Sequence, residues 1–329
     1  MLSIFAIQCK EKEPVDNSVQ LKAENYSKDP LLAELTKKIE TDPDNPDFWA
    51  ARAKAFYERD AYDEAIGDLS AAMKIDSVNV NYHHLLADVY IDYYKSRLAL
   101  NTMLRAATLH PEHIPTLLKL AELQLILEMQ KESMQSVEKV LMLDPENADA
   151  YIMLGLNFKE IGDTAMAVGS FKKAVNYDPD KISAWINMGQ LQAARNVAQA
   201  EQYFNTAIRL DSLNTNTWLC KADYHWEKGD RNKALETYKK IIEIDHMMPD
   251  AYYNSGLVYL EMDSIVQAQK HFDMTIETNP LFYKAYYYKG LTLEKQGKTD
   301  AAKDFYQQSL NMAPNFDKPR KALDALNKK

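Results

Sequence analysis

The chain has 329 residues, of which nine are Gly and twelve Pro, about half the Gly plus Pro share of an average protein. That scarcity excludes collagen-like, Gly-linker and Pro-rich disordered chains, and it argues against a β-sandwich rich in tight turns. A net charge of −9 argues against nucleic acid or an anionic membrane surface as partner, and two Cys cannot build a disulfide framework. Apolar residues make up 46% and charged residues 26%, ordinary for a globular protein, and no apolar run approaches the ~18 residues of a membrane span.

In chain order, residues 1–8 (MLSIFAIQ) are apolar and lead into Cys9, then into a polar stretch without helical period up to residue 29. This start resembles the end of a bacterial lipoprotein signal, which implies lipidation at Cys9, a disordered tether and an envelope location; the alternative is a frayed cytoplasmic N-terminus. Gln8 stands where such signals carry a small residue, and the run is short. A start codon placed too far downstream would explain the shortness.

From residue 46 onward the chain repeats. Eight units follow one another: 46–79, 80–113, 114–147, 148–181, 182–214, 215–248, 249–282 and 283–316. Seven have 34 residues and the fifth has 33, its missing residue falling between Gly189 and Ala200. Position 8 is always small (Ala53, Ala87, Ala121, Gly155, Gly189, Ala222, Gly256, Gly290). Position 20 is also always small (Ala65, Ala99, Ser133, Ala167, Ala200, Ala234, Ala268, Ala302). Position 24 is always large (Leu69, Met103, Val137, Phe171, Phe204, Tyr238, Phe272, Tyr306). Positions 4, 7, 8 and 11 share one helical face, as do 20, 24, 27 and 28. Each unit therefore reads as two amphipathic helices, spanning about positions 2–14 and 17–29, whose backbones approach where the small residues meet. Gly162, Gly229 and Gly297 at position 15 end the first helix, and Pro111, Pro145, Pro179, Pro280 and Pro314 at position 32 stop the second.

The unit around Leu154, Gly155, Phe158, Ala167, Phe171, Ala174 and Pro179 resembles the tetratricopeptide repeat, W-x2-L-G-x2-Y then A-x3-F then P. The resemblance covers residues 46–316, with His83 and Leu117 departing from the aromatic at position 4. It implies an all-α, right-handed superhelical solenoid. Residues 30–45 align with the second half of a unit, with Leu31 at position 20, Leu35 at 24 and Pro43 at 32; residues 317–329 read as a capping helix.

The resemblance also implies that first helices line a groove, with positions 2, 5, 9, 12 and 13 facing it. These positions carry twelve acids and only four bases, Lys54, Lys159, Lys284 and Lys295. The partner-binding residues expected on this basis are Tyr57, His84, Asp88, Asp92, Glu122, Asp223, Trp226, Glu227, Tyr253, Glu261 and Tyr287. Acids would steer a basic or amphipathic protein segment and aromatics would anchor it. Trp226 is the sharpest case because it sits at position 12, away from the structural aromatic slot of Trp49, Trp185 and Trp218. A carboxylate clamp of the chaperone-tail type is not expected, since no unit has Lys at 5 with Asn at 9.

There is no G-x-G-x-x-G after a strand, no P-loop, no G-x-S-x-G and no H-E-x-x-H, so neither catalysis nor a cofactor is expected. His83, His84, His110 and His113 are expected to be solvated loop residues rather than metal ligands. The expected function is a monomeric, non-enzymatic protein-binding scaffold or assembly factor; the alternative is a structural subunit that self-associates through its open ends.

Overall fold

The computed structural model describes residues 29–195 and 199–327, and it is all-α. Eighteen helices among these residues form consecutive antiparallel pairs. The described residues divide into two compact units on either side of the Pro145–Glu146 bond, the residue 1–145 unit and the residue 146–329 unit. The first contains α1 (Pro30–Thr41), α2 (Pro46–Tyr57), α3 (Tyr62–Ile75), α4 (Val80–Asp92), α5 (Ser96–Leu109), α6 (Ile114–Ile126) and α7 (Gln130–Leu143). The second contains α8 (Ala148–Glu160), α9 (Thr164–Tyr177), α10 (Ile182–Ala194), α11 (Ala200–Leu210), α12 (Thr215–Glu227) and α13 (Arg231–Ile244). It continues with α14 (Pro249–Glu261), α15 (Ile265–Thr278), α16 (Tyr283–Lys295), α17 (Thr299–Met312) and α18 (Asp317–Asn327). Among the described residues no helix is long and apolar enough to cross a membrane. Cys9 and the polar stretch after it lie outside the described residues.

The core of each unit is built from the columns of small and large residues. Every residue at positions 8, 20 and 24 is buried. Where position 8 is Gly, the facing residue at 24 is a ring held so close that a methyl group would collide with it. A Cβ on Gly155, Gly189, Gly256 or Gly290 would lie 2.5–2.7 Å from Phe171, Phe204, Phe272 or Tyr306. Where position 20 is Ser133, its hydroxyl donates to the Ala121 carbonyl at 2.7 Å, so the polar group is buried without loss.

Helix ends follow local chemistry. Asn45, Asn79, Asn147 and Asn214 precede first helices, and their side chains accept a backbone N–H of the first turn. Asp163 and Asp230 do the same for α9 and α13. At position 15 the backbone is left-handed in all seven described units, at Gly162, Gly229 and Gly297 and also at Asp60, Tyr94, Glu128 and Asp263, with φ between 54° and 81°. The next residue then donates its N–H to the carbonyl at position 11, as from Lys95 to Tyr90 at 2.7 Å and from Asp163 to Phe158 at 2.8 Å.

Position 4 has a role that its aromatic character hides. The Trp49, Trp185 and Trp218 indoles donate to the carbonyls of Pro43, Pro179 and Ser212 at 2.8–2.9 Å, each six residues earlier. The Tyr286 hydroxyl and the Arg320 guanidinium make the same bond to Pro280 and Pro314. His83 joins them, its Nε2 lying 3.0 Å from the Ser77 carbonyl, which places the ring proton on Nε2. His83 thus replaces the tryptophan in function. Leu117 has no donor to offer. Leu31, aligned with position 20, is 44% exposed, whereas Leu32, Leu35 and Ile39 are buried. Among the described residues no first helix precedes α1 to cover Leu31.

Candidate functional site: the first-helix face

In the residue 1–145 unit, α2, α4 and α6 supply the expected face. Asp92 on α4 accepts the hydroxyl of Tyr57 on α2, thirty-five residues away. Burial, reinforced by the Asp92 carboxylate, raises the Tyr57 phenol well above its ordinary range. Asp47 receives the Tyr82 hydroxyl at 2.6 Å. Asp88 is ion-paired with Lys119 of α6 at 2.6 Å. His84 is half-buried, and its Nε2 meets the Thr116 hydroxyl at 2.8 Å, which also meets His113 Nδ1 at 2.7 Å. Burial is the main reason that the His84 pKa falls to about 4, so the ring is neutral at pH 7. Glu122 is exposed, with no side-chain hydrogen bond or ion pair among the described residues.

In the residue 146–329 unit the corresponding positions lie on α8, α10, α12, α14 and α16. Trp226 is half-buried against the α12–α13 core, and its indole N–H points to both oxygens of Glu261 on α14, at 3.1 and 3.3 Å. Arg231 holds the same Glu261 carboxylate at 2.6 Å. Trp226–Glu261 therefore has the register of Tyr57–Asp92: position 12 of one unit donates to position 13 of the next. Asp223 accepts the buried Tyr238 hydroxyl at 2.8 Å, and burial pushes its carboxyl pKa up. Tyr253 and Tyr287 lie in a cluster of rings with Tyr288, Phe282 and Phe316, at centroid distances of 4.9–5.8 Å. Glu227 is exposed, without a partner among the described residues.

The structure thus joins the expected residues in pairs rather than leaving them all facing solvent. Asp88, Asp149 and Glu261 are ion-paired with Lys119, Lys181 and Arg231. Those bases sit at positions 6, 34 and 17, outside the five groove positions, so counting groove positions alone overstates the charge of the face. Among the described residues, the acids of the face left without an internal partner are Glu58 and Glu122 in the first unit and Glu160, Glu227 and Asp250 in the second. Cys220 is half-buried, receives Gln190 Nε2 at 3.1 Å and has its thiol pKa pushed up by burial. The His113 ring lies 6.0 Å from that of His84 and 6.4 Å from that of His110, yet among the described residues no group of three His, Cys, Asp or Glu could hold a metal ion.

Tetratricopeptide repeat models match residues 148–181 and 283–316, and a TPR repeat model matches residues 222–263. The type IV pilus assembly protein PilF of Pseudomonas aeruginosa is 27% identical over 140 residues, covering 41% of this chain and 54% of that protein. The human protein O-mannosyl-transferase TMTC3 is 22% identical over 173 residues, 47% of this chain and 19% of that protein. The chain thus spans from about a fifth to about half the length of these relatives. A tetratricopeptide repeat protein structure from Parabacteroides merdae superposes with a TM-score of 0.56 at 19% identity, over 76% of this chain and 99% of the other. Repeated small and large columns, capped helix pairs and three matching repeat models converge on one family: the chain is a tetratricopeptide repeat protein with multiple repeats.

Proposed function

We propose that the chain is a non-catalytic protein-interaction scaffold that holds a basic or amphipathic segment of a partner protein against its first-helix face. The observation that carries this reading is the set of acids left over once internal pairs are set aside. Glu122 and Glu227 are exposed at positions 9 and 13, beside half-buried aromatic and aliphatic surface of the same helices. Carboxylates without an internal partner keep their attraction for an incoming Lys or Arg, whereas Asp88 and Glu261 would first have to release Lys119 and Arg231. Trp226, Tyr253 and Tyr287 supply rigid apolar area for anchoring. An assembly role is supported by the similarity to the pilus assembly protein, and an envelope address by the apolar run before Cys9.

The test places a photo-crosslinking residue at Glu122 or Glu227 and, as controls, at exposed Lys139 or Lys172 on second helices. Capture of a protein from either acidic position, through a segment rich in Lys or Arg, is expected. Capture only from the second-helix controls would contradict the reading. For the envelope address, incorporation of labelled palmitate that disappears in Cys9→Ser is expected; no incorporation would end that part of the proposal.

A further inference from the structure

A cavity of about 610 Å³ opens between the second helices α13 and α15, with α14 beneath it. Its α14 lining is Tyr252, Ser255 and Tyr259, at positions 4, 7 and 11, so it is separate from the positions that form the acidic face. Leu235, Ile242 and Met274 give it apolar walls. Its size falls within the roughly 300–1,000 Å³ common for small-molecule sites.

Two polar groups here lack a hydrogen-bond partner among the described residues. Tyr252 occupies position 4, where Trp49, His83, Trp185, Trp218, Tyr286 and Arg320 all bond to a carbonyl six residues back. The Tyr252 hydroxyl has no hydrogen bond among the described residues, although its ring is buried. His271 is packed against Tyr252 and Tyr259, with ring centroids 6.1 and 5.0 Å away, and its Nδ1 is buried without a hydrogen-bond partner. Burial lowers the His271 pKa, so the ring is neutral and offers one donor and one acceptor. At the mouth stand the exposed side chains of Lys239 and Lys270, with Glu236 as the one acid of the lining; Lys239 also lies 3.9 Å from Glu243 in an exposed contact. The lining thus carries two ammonium groups against one carboxylate, a net positive opening on a chain of net charge −9.

We propose that this cavity binds a small amphiphile, with an alkyl chain or aromatic ring against Leu235, Ile242 and Met274 and one anionic head group between Lys239 and Lys270. Tyr252 and His271 are placed to bond a polar atom near the head. The site needs no protein partner and does not depend on the acidic face.

The test titrates the full chain with 8-anilinonaphthalene-1-sulfonate, followed by fluorescence and calorimetry. One saturable site is expected, from which decanoate displaces the probe and decyltrimethylammonium does not. Lys239→Glu/Lys270→Glu, at exposed positions that leave the core alone, should weaken binding at least tenfold. Met274→Trp, which fills the cavity, should abolish it, while Glu122→Lys/Glu227→Lys should change it less than twofold. Absence of a saturable site, unchanged affinity in the double lysine variant, or equal competition by the cationic amphiphile would each overturn the proposal.

Discussion

In the residue 1–145 unit, paired helices approach through Ala53, Ala87 and Ala121, facing Leu69, Met103 and Val137. In the residue 146–329 unit, Gly155, Gly189, Gly256 and Gly290 face Phe171, Phe204, Phe272 and Tyr306. One methyl group removed from the first helix makes room for a ring on the second. Gly inside a helix costs about 0.5–1 kcal/mol relative to Ala, and the larger buried ring offsets it. The pairing is not strict, since Ala222 packs with Tyr238, whose hydroxyl is tethered to Asp223. The small column is therefore constrained by its partner column and not by helix propensity, and the glycine-rich unit is the less tolerant of the two.

The largest expected effect breaks that complementarity. Gly155→Ala puts a Cβ 2.6 Å from the Phe171 ring and should lower stability by about 1–3 kcal/mol in urea unfolding. In a Phe171→Leu background the same change should cost almost nothing, giving a coupling of at least about 1 kcal/mol. The reverse change in the other unit, Ala87→Gly, should cost about 1–2 kcal/mol through helix propensity and a lost buried methyl, without coupling to Met103. Equal costs for both single changes, with no coupling, would dissolve the comparison.

Position 15 sharpens it with smaller effects. The second unit uses Gly162, Gly229 and Gly297 there, with Asp263 the exception, whereas the first strains Asp60, Tyr94 and Glu128 into the same left-handed backbone. Tyr94 is 94% exposed and packs on little. Tyr94→Gly should therefore stabilise by about 1 kcal/mol, and Gly229→Ala should destabilise by a similar amount. At position 4, Tyr286→Phe removes a hydrogen bond and should cost about 0.5–1.5 kcal/mol, while Tyr252→Phe removes none and should be nearly neutral.

Within the first unit, His84 adds a pH dependence. His84 is neutral in the fold, with a pKa of about 4, but near 6.5 when unfolded. The unfolded chain therefore binds more protons between these values, so stability falls as pH drops from about 6.5 toward 4. His84→Gln should lose less stability than the parent between pH 7.5 and pH 5.

The helices and their core were legible because the small and large columns recur at fixed spacing. Three features were not. The bond made by position 4 ends on a backbone carbonyl, so sequence shows the aromatic donor but not its acceptor, and His83 looked like a departure. The left-handed residue at position 15 is visible only where it is Gly, because Tyr94 and Glu128 carry no mark of strain in their identity. The pairing of Asp88, Asp149 and Glu261 came from bases outside the groove positions, whose reach depends on how adjacent helices pack. The same packing leaves Glu122 and Glu227 as the acids on which the proposed function rests.

Calorimetric titration of the wild-type chain with the Lys- and Arg-rich segment captured by crosslinking tests that function most directly, alongside Glu122→Lys/Glu227→Lys and Lys139→Glu/Lys172→Glu. Binding weakened at least tenfold by the acidic-face variant, and changed less than twofold by the second-helix variant, is the predicted result. Equal affinity for the acidic-face variant and the wild type would contradict it.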